Sequence, residues 1–268
     1  MLREGSGEPL VLYHGILCSE RVWRNVVPLL SGDFEVIVPN ALGHRDGPVR
    51  SPGPVTIADV IDDAERQLDE MGIDRAHLAG NSMGAWVALE LARRGRAKSV
   101  CGLAPAGFWD ESWDDEHQRV ANLLLGAVRD VNRGRRIAPL LSRSSRFRRW
   151  ALSNACLYGD RVTRAEFLDA GEDTMSCTVA EDSTQPGFSL PEHEASCPVT
   201  LAWCEEDRLF PLAVYEERAR RHVGGAEFLV LGDVGHVPMY DDPKLVADTI
   251  RATAKSSSPA ASLSSPGS

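Results

Sequence analysis

Five residues, Gly80-Asn81-Ser82-Met83-Gly84, join an apolar run, Ala76-His77-Leu78-Ala79, to a helical pattern that continues to Arg94. A strand that becomes a helix within so few residues must turn sharply. The apex side chain, Ser82, stays accessible only if the residues two positions away on either side are small, and both are glycine. Trp86, Val87, Leu89 and Leu91 supply an apolar helix face behind the turn, and Gly95 is a natural helix stop. The helix starts at the serine, so its free N–H groups and positive dipole end face any negative charge that forms there. A Gly-X-Ser-X-Gly string is weak evidence alone; the flanking strand and helix give it weight.

Along the chain, strand-like segments alternate with helix-like ones, the pattern of a mostly parallel sheet covered on both faces. Strands are expected at residues 10–13, 35–38, 76–79, 99–103, 199–203 and 227–230. Thr56 is placed to cap a helix whose apolar residues Ile57, Val60, Ile61, Ala64, Leu68 and Met71 form one stripe, with Gly72 as its end. Helices at 212–221 and 243–254 complete the alternation. The fold class is therefore α/β, a doubly wound sheet. Residues 1–105 and 197–255 form its core, and 106–196 are an insertion with helical patterns and no convincing strand. Residues 256–268, with seven serines and two prolines, are expected to be a disordered tail.

Composition excludes several function classes. A chain of 268 residues, 43% hydrophobic and 25% charged, can bury one large core. Its formal charge of -10 disfavours a nucleic-acid partner, because a phosphate backbone is repelled overall. No apolar run reaches membrane-spanning length, and the first seven residues lack the apolar stretch of a signal peptide, so no membrane partner and a cytoplasmic residence are expected. The six cysteines show no Cys-X-X-Cys pair, which favours free buried thiols over zinc or disulfides, and no metal or other cofactor is expected. The oligomeric state is not legible in the sequence.

The insertion opens acidic, with Asp110, Glu111, Asp114, Asp115 and Glu116, and then turns basic, with Arg129, Arg133, Arg135, Arg136, Arg143, Arg146, Arg148 and Arg149. A charge run of this kind is most often a solvated face. The functional alternative is a lid that presents arginines to a carboxylate or phosphate on a substrate. Phe108, Trp109, Trp113 and residues 123–125 can line a pocket or pack the insertion, and packing is the better expectation for most of them.

A serine hydroxyl is a poor nucleophile at neutral pH, so Ser82 needs a base, and the base needs an anion to fix its tautomer. An apolar run at 199–203 leads into Cys204-Glu205-Glu206-Asp207, and a second at 228–231 leads into Gly232-Asp233-Val234-Gly235-His236. Asp207 and His236 thus fall just beyond strand ends, where an α/β sheet gathers its active-site groups. The order Ser82, Asp207, His236 is one of the known chain orders of such triads. Tyr13-His14-Gly15-Ile16 ends the first expected strand. The N–H of Ile16, with that of Met83, could hold an oxyanion, each donor contributing roughly 3 kcal/mol. His14 is expected to order this loop rather than act as the base.

With these motifs in this order, the chain resembles the α/β-hydrolase superfamily, specifically its lidded serine hydrolases, over roughly residues 3–254. The resemblance implies an eight-stranded sheet with one antiparallel strand and a helical lid over the triad. The first strand is missing: only the stub at residues 2–7 precedes Leu10, so the sheet is one strand smaller or the natural start lies upstream. Cys204 stands where the family often has glycine, Asn40 where it has aspartate, and Ala85 where a third glycine is frequent. Glu205, Glu206 and Asp110 are alternatives to Asp207 as the acid. Cys18 and Cys204 are expected to be buried apolar packing residues.

These roles imply hydrolysis of a small-molecule carboxylic ester or thioester through an acyl-enzyme on Ser82. A serine nucleophile argues against the epoxide hydrolases and haloalkane dehalogenases of the superfamily, whose alkyl-enzyme chemistry uses a carboxylate. The rival readings are a carbon-carbon bond hydrolase of vinylogous diketones, with the arginines binding a substrate carboxylate; a perhydrolase or non-hydrolytic biosynthetic enzyme; and a ligand receptor that kept the triad.

Overall fold

The computed structural model describes residues 1–109, 115–182 and 189–256. Its strands, in chain order, are β1 (Leu2–Gly5), β2 (Pro9–Tyr13), β3 (Glu35–Val38), β4 (Ala76–Asn81), β5 (Ala97–Leu103), β6 (His193–Glu194), β7 (Val199–Cys204), β8 (Val223–Gly224) and β9 (Glu227–Leu231). Seven of them form one sheet in the order β1-β3-β2-β4-β5-β7-β9. The two-residue period of a strand divides the core in two. Val11 and Tyr13, Ile37, Leu201 and Trp203 face one layer; Leu10 and Leu12, Val36 and Val38, Ala202 and Cys204 face the other. Neighbours beyond β3 run parallel, with Leu10 opposite His77 and Gly102 opposite Leu201.

The stub before Leu10 is itself a strand. β1 pairs antiparallel with β3, Leu2 opposite Val38 and Gly5 opposite Glu35. Residues 3–5 are exposed, so no apolar alternation marks them in the sequence, and only pairing with β3 makes them extended. The sheet is thus one strand short of the eight that the resemblance implies, and its antiparallel strand is the stub. β6 and β8, also absent from the expected strands, form a separate two-residue parallel pair.

The helices are α1 (Val27–Leu30), α2 (Ile57–Glu70), α3 (Met83–Arg93), α4 (Asp115–Gly134), α5 (Ala138–Leu141), α6 (Ser145–Ala151), α7 (Arg164–Ser176), α8 (Leu212–His222), α9 (Pro238–Asp241) and α10 (Pro243–Lys255). Thr56 caps α2 as its sequence predicts, in a reciprocal box with Asp59 that satisfies two otherwise unpaired N–H groups. α2 and α3 pack on the first core layer, through Val60, Leu68, Val87 and Leu91. α10 packs on the second through Val246 and Ile250.

Between β5 and β7 the chain makes a helical excursion, α4 to α7, followed by the short strand β6, which falls within residues 106–196 where no strand is expected. α7 is bound to the core by polar contacts. Ser19 Oγ donates to Asp173 Oδ2 at 2.7 Å, Arg45 Nη1 donates to Asp173 Oδ1 at 3.2 Å, and Asn25 Nδ2 donates to Glu166 Oε1 at 2.8 Å. The expected tail, apart from Ser256, lies outside the described residues.

Candidate active site

The elbow follows from the chain's local chemistry. Ser82 stands between the end of β4 and the first residue of α3, with φ 56° and ψ -118°. A non-glycine residue there is strained, and such strain persists only where the surroundings over-determine it. They do: Ser82 N–H donates to Leu103 O at 3.0 Å, and Ser82 O accepts from the N–H groups of Ala85, Trp86 and Ala106. The flanking glycines admit no side chain. A Cβ on Gly80 would lie 2.2 Å from the Gly84 carbonyl carbon, and one on Gly84 would lie 2.2 Å from Tyr13 O.

Asp207 and His236 meet. His236 Nδ1 and Asp207 Oδ2 are 2.8 Å apart, and both side chains are buried. A carboxylate only accepts, so the proton of this bond sits on Nδ1 and leaves Nε2 as the basic nitrogen. Asp207 Oδ1 accepts from the N–H groups of Leu209 at 2.8 Å and Phe210 at 2.7 Å, so the carboxylate is fixed from both sides. The Phe210 ring stands edge-on to the imidazole, with centroids 4.9 Å apart. Of the alternative acids, Glu205 instead receives the N–H of Asp233 at 3.3 Å, Glu206 is exposed, and Asp110 lies outside the described residues.

Two positioning residues escaped the sequence reading. Asn81, buried within the elbow, donates through Nδ2 to Leu103 O at 3.1 Å and to His236 O at 2.8 Å. It therefore ties the histidine loop to the residue beside Ser82. Asp241, on α9, accepts from the N–H groups of Gly235, Leu157 and Tyr158 at 2.7 to 2.9 Å. One carboxylate thereby pins the His236 loop to the insertion. Asn81 stood in the elbow motif and could have been suspected from it; Asp241 carried no sequence signal.

His14 does not face the nucleophile as a base. Its Nδ1–H donates to Gly15 O at 2.8 Å and its Nε2 accepts from Ala41 N–H at 3.0 Å, so both nitrogens are used in holding the loop, as expected. Burial lowers its pKa to about 4, and burial with the neighbouring His14 lowers that of His44 to about 3. The two rings lie edge to face, 5.0 Å between centroids. All six cysteines are free. Burial pushes the Cys18 thiol up to about 12 and that of Cys204 well above its ordinary value, so neither is a thiolate nucleophile.

Ile16, Ser82 and Met83 share the wall of one cavity with Trp86, Trp109, His117, Val120, Leu124, Leu209 and Phe210. Its empty space is about 590 Å³, the open mouth included. Met83 opens α3, where an N–H has no acceptor inside the helix. The lining is apolar apart from Ser82 and His117, and His117 stacks on Trp109 with centroids 4.8 Å apart. Phe108 packs in the core against Trp203 instead, while Trp109 and Leu124 line the cavity, and Trp113 lies outside the described residues. None of the insertion's arginines is in the lining.

The alpha/beta hydrolase family model matches residues 10–249, and the chain belongs to that family. The epoxide hydrolase EphH of Mycobacterium tuberculosis is 34% identical over 205 residues, covering 71% of this chain and 91% of that protein. Among solved structures, a thermophilic esterase from Thermogutta terrifontis superposes with a TM-score of 0.71 at 22% identity, covering 96% of this chain and 92% of that one. The epoxide hydrolase CorEH superposes with a TM-score of 0.71 at 18% identity, covering 94% and 92%. At these identities the structural likeness shows the fold. Together these likenesses make the chain a hydrolase of the α/β-hydrolase fold.

Proposed function

We propose that this hydrolase cleaves a small-molecule carboxylic ester or thioester through an acyl-enzyme on Ser82. The observation that carries the reading is a serine at a strained elbow, on the wall of an apolar cavity, next to Asn81, whose side chain holds the backbone of a histidine paired with a buried carboxylate. In this reading His236 Nε2 takes the Ser82 proton as Oγ attacks the carbonyl carbon. The oxyanion that forms accepts from the N–H groups of Ile16 and Met83, at the positive end of α3. His236 then returns the proton to the departing alcohol or thiol. Water, deprotonated by the same imidazole, breaks the acyl bond and restores Ser82. Asp207 stabilises the imidazolium in both halves. Residues 106–196 act as the lid, and α4 supplies much of the acyl wall.

The likeness to EphH favours a second reading, epoxide opening. Its difficulty is chemical. A carboxylate attacking an epoxide carbon gives an ester, which water can cleave; a serine hydroxyl would give an ether, which the same base cannot hydrolyse. The carbon-carbon hydrolase reading loses its motive as well, because the insertion's arginines do not reach the cavity.

A panel of acyl p-nitrophenyl esters and thioesters of graded length, run beside styrene oxide and a Ser82→Ala variant, tests this. The expected result is ester turnover that the variant abolishes. Unchanged hydrolysis by the variant, or turnover of the epoxide alone, would overturn the proposal.

A further inference from the structure

Between Asp130 and Asp160 the sequence holds seven arginines and no acidic residue, inside a chain of net charge -10. Arginines of the core are spoken for: Arg94 meets Asp62 and Glu65, and Arg45 meets Glu172 and Asp173. In the insertion, Arg148 is used structurally, donating to the carbonyls of Ser142, Asp160 and Val162, and Arg149 lies 3.6 Å from Asp160. Arg133, Arg135, Arg136, Arg143 and Arg146 are all exposed, and no ion pair holds any of them among the described residues. The cationic charge there is uncompensated.

Large apolar side chains are exposed on the same stretch. Ile137 is 56% exposed, Leu140 62%, Leu141 38% and Trp150 71%. These are four of the nine large hydrophobic residues exposed among the described residues, gathered within α5, α6 and their approach. α5 and α6 form one corner, because Arg148 on α6 reaches back to the Ser142 carbonyl that ends α5. Exposed apolar groups collected in this way mark an interaction surface.

We propose that the α5–α6 corner docks the protein on an anionic lipid bilayer. Guanidinium groups flanking Trp, Leu and Ile suit the boundary between headgroups and acyl chains, where each kind of group finds its solvent. A nucleic acid would use the arginines and leave Ile137, Leu140 and Leu141 in water. Within a Debye length of about 8 Å the local charge, rather than the net charge of the chain, sets the attraction. This is surface attachment: no helix among the described residues is long and apolar enough to cross a membrane. It goes beyond the expectation of no membrane partner, which rested on spanning length alone, and it stands independently of the ester reading.

The test is co-sedimentation of the full chain with vesicles of phosphatidylcholine alone or with about 30% phosphatidylglycerol. Binding is expected to the anionic vesicles only, and to be lost between about 0.05 and about 0.5 M salt. Each basic group near such a surface strengthens partitioning about fivefold, so R135Q/R136Q should weaken it about 25-fold. L140S/W150S should weaken it at low salt, where the arginines still attract the surface, and thermal melts should match the parent for both variants. The proposal is overturned by no anionic binding, by equal binding to neutral vesicles, or by folded variants that bind like the parent. Self-association abolished by L140S/W150S without vesicle binding would make the corner a contact between copies instead.

Discussion

Replacing Asp207 with asparagine tests the site without disturbing its shape. Oδ1 is held by two backbone donors, Leu209 N–H at 2.8 Å and Phe210 N–H at 2.7 Å. Those donors require an oxygen, so the asparagine amide must orient with its carbonyl there and its NH2 toward His236, in the position Oδ2 now holds 2.8 Å from Nδ1. An NH2 donates, so Nδ1 must become the acceptor and the imidazole proton moves to Nε2. The base then presents a hydrogen where it should present a lone pair. In serine triads this tautomer error lowers kcat by about 10⁴, or about 5.5 kcal/mol of barrier. Asp207→Asn should therefore lose ester turnover by about four orders of magnitude while unfolding near the parent temperature. Asp207→Ala should lose stability too, because two buried N–H groups are left without acceptors at about 1–3 kcal/mol each. Steady-state kinetics on the best p-nitrophenyl ester, beside thermal denaturation, separate the effects. Retention of more than about a tenth of kcat in Asp207→Asn would refute the reasoning and return the acid's role to Glu205, Glu206 or Asp110.

Asn81→Ala removes both bonds that tie the elbow to the His236 loop; kcat should fall about tenfold for roughly 1.4 kcal/mol of lost positioning, with KM little changed, and an effect on KM alone would count against the clamp. Stability should fall as pH drops from about 6.5 toward about 4, since unfolding frees His14, whose pKa is lowered to about 4, to bind a proton that the folded state refuses. The unfolded chain binds more protons across that window, so unfolding free energy rises with pH, by up to about 3 kcal/mol from this residue. Denaturant midpoints against pH should show this slope, reduced in His14→Gln; an unaltered slope in the variant would assign it elsewhere.

Much of the site was legible because its parts are local. The elbow needs a strand, a serine between small residues and a helix in one contiguous segment, and glycine is required where a Cβ would strike backbone at 2.2 Å. Asp207 and His236 could be ranked as candidates because each follows an apolar run, and the sheet delivers such residues to one edge. β1 was missed because Arg3, Glu4 and Gly5 are exposed and carry no alternation. The alternative acids could not be separated by sequence either, since Glu205, Glu206 and Asp207 are consecutive.

The sequence by itself determined where backbone reverses, which faces of the strands are apolar, and which residues stand at strand ends, since these depend on neighbours a few positions away. Tertiary structure decided what depends on direction over long separations. It paired Asp207, rather than Glu205 or Glu206, with His236, two downstream N–H groups fixing the carboxylate, and it gave Asn81 a partner 155 residues away. It also left Arg133, Arg135, Arg136, Arg143 and Arg146 exposed and off the cavity wall, the solvated face that such a charge run most often is. A side chain's chemistry is written in its residue type, whereas what it meets is fixed only when distant segments pack and each buried polar group must find its partner.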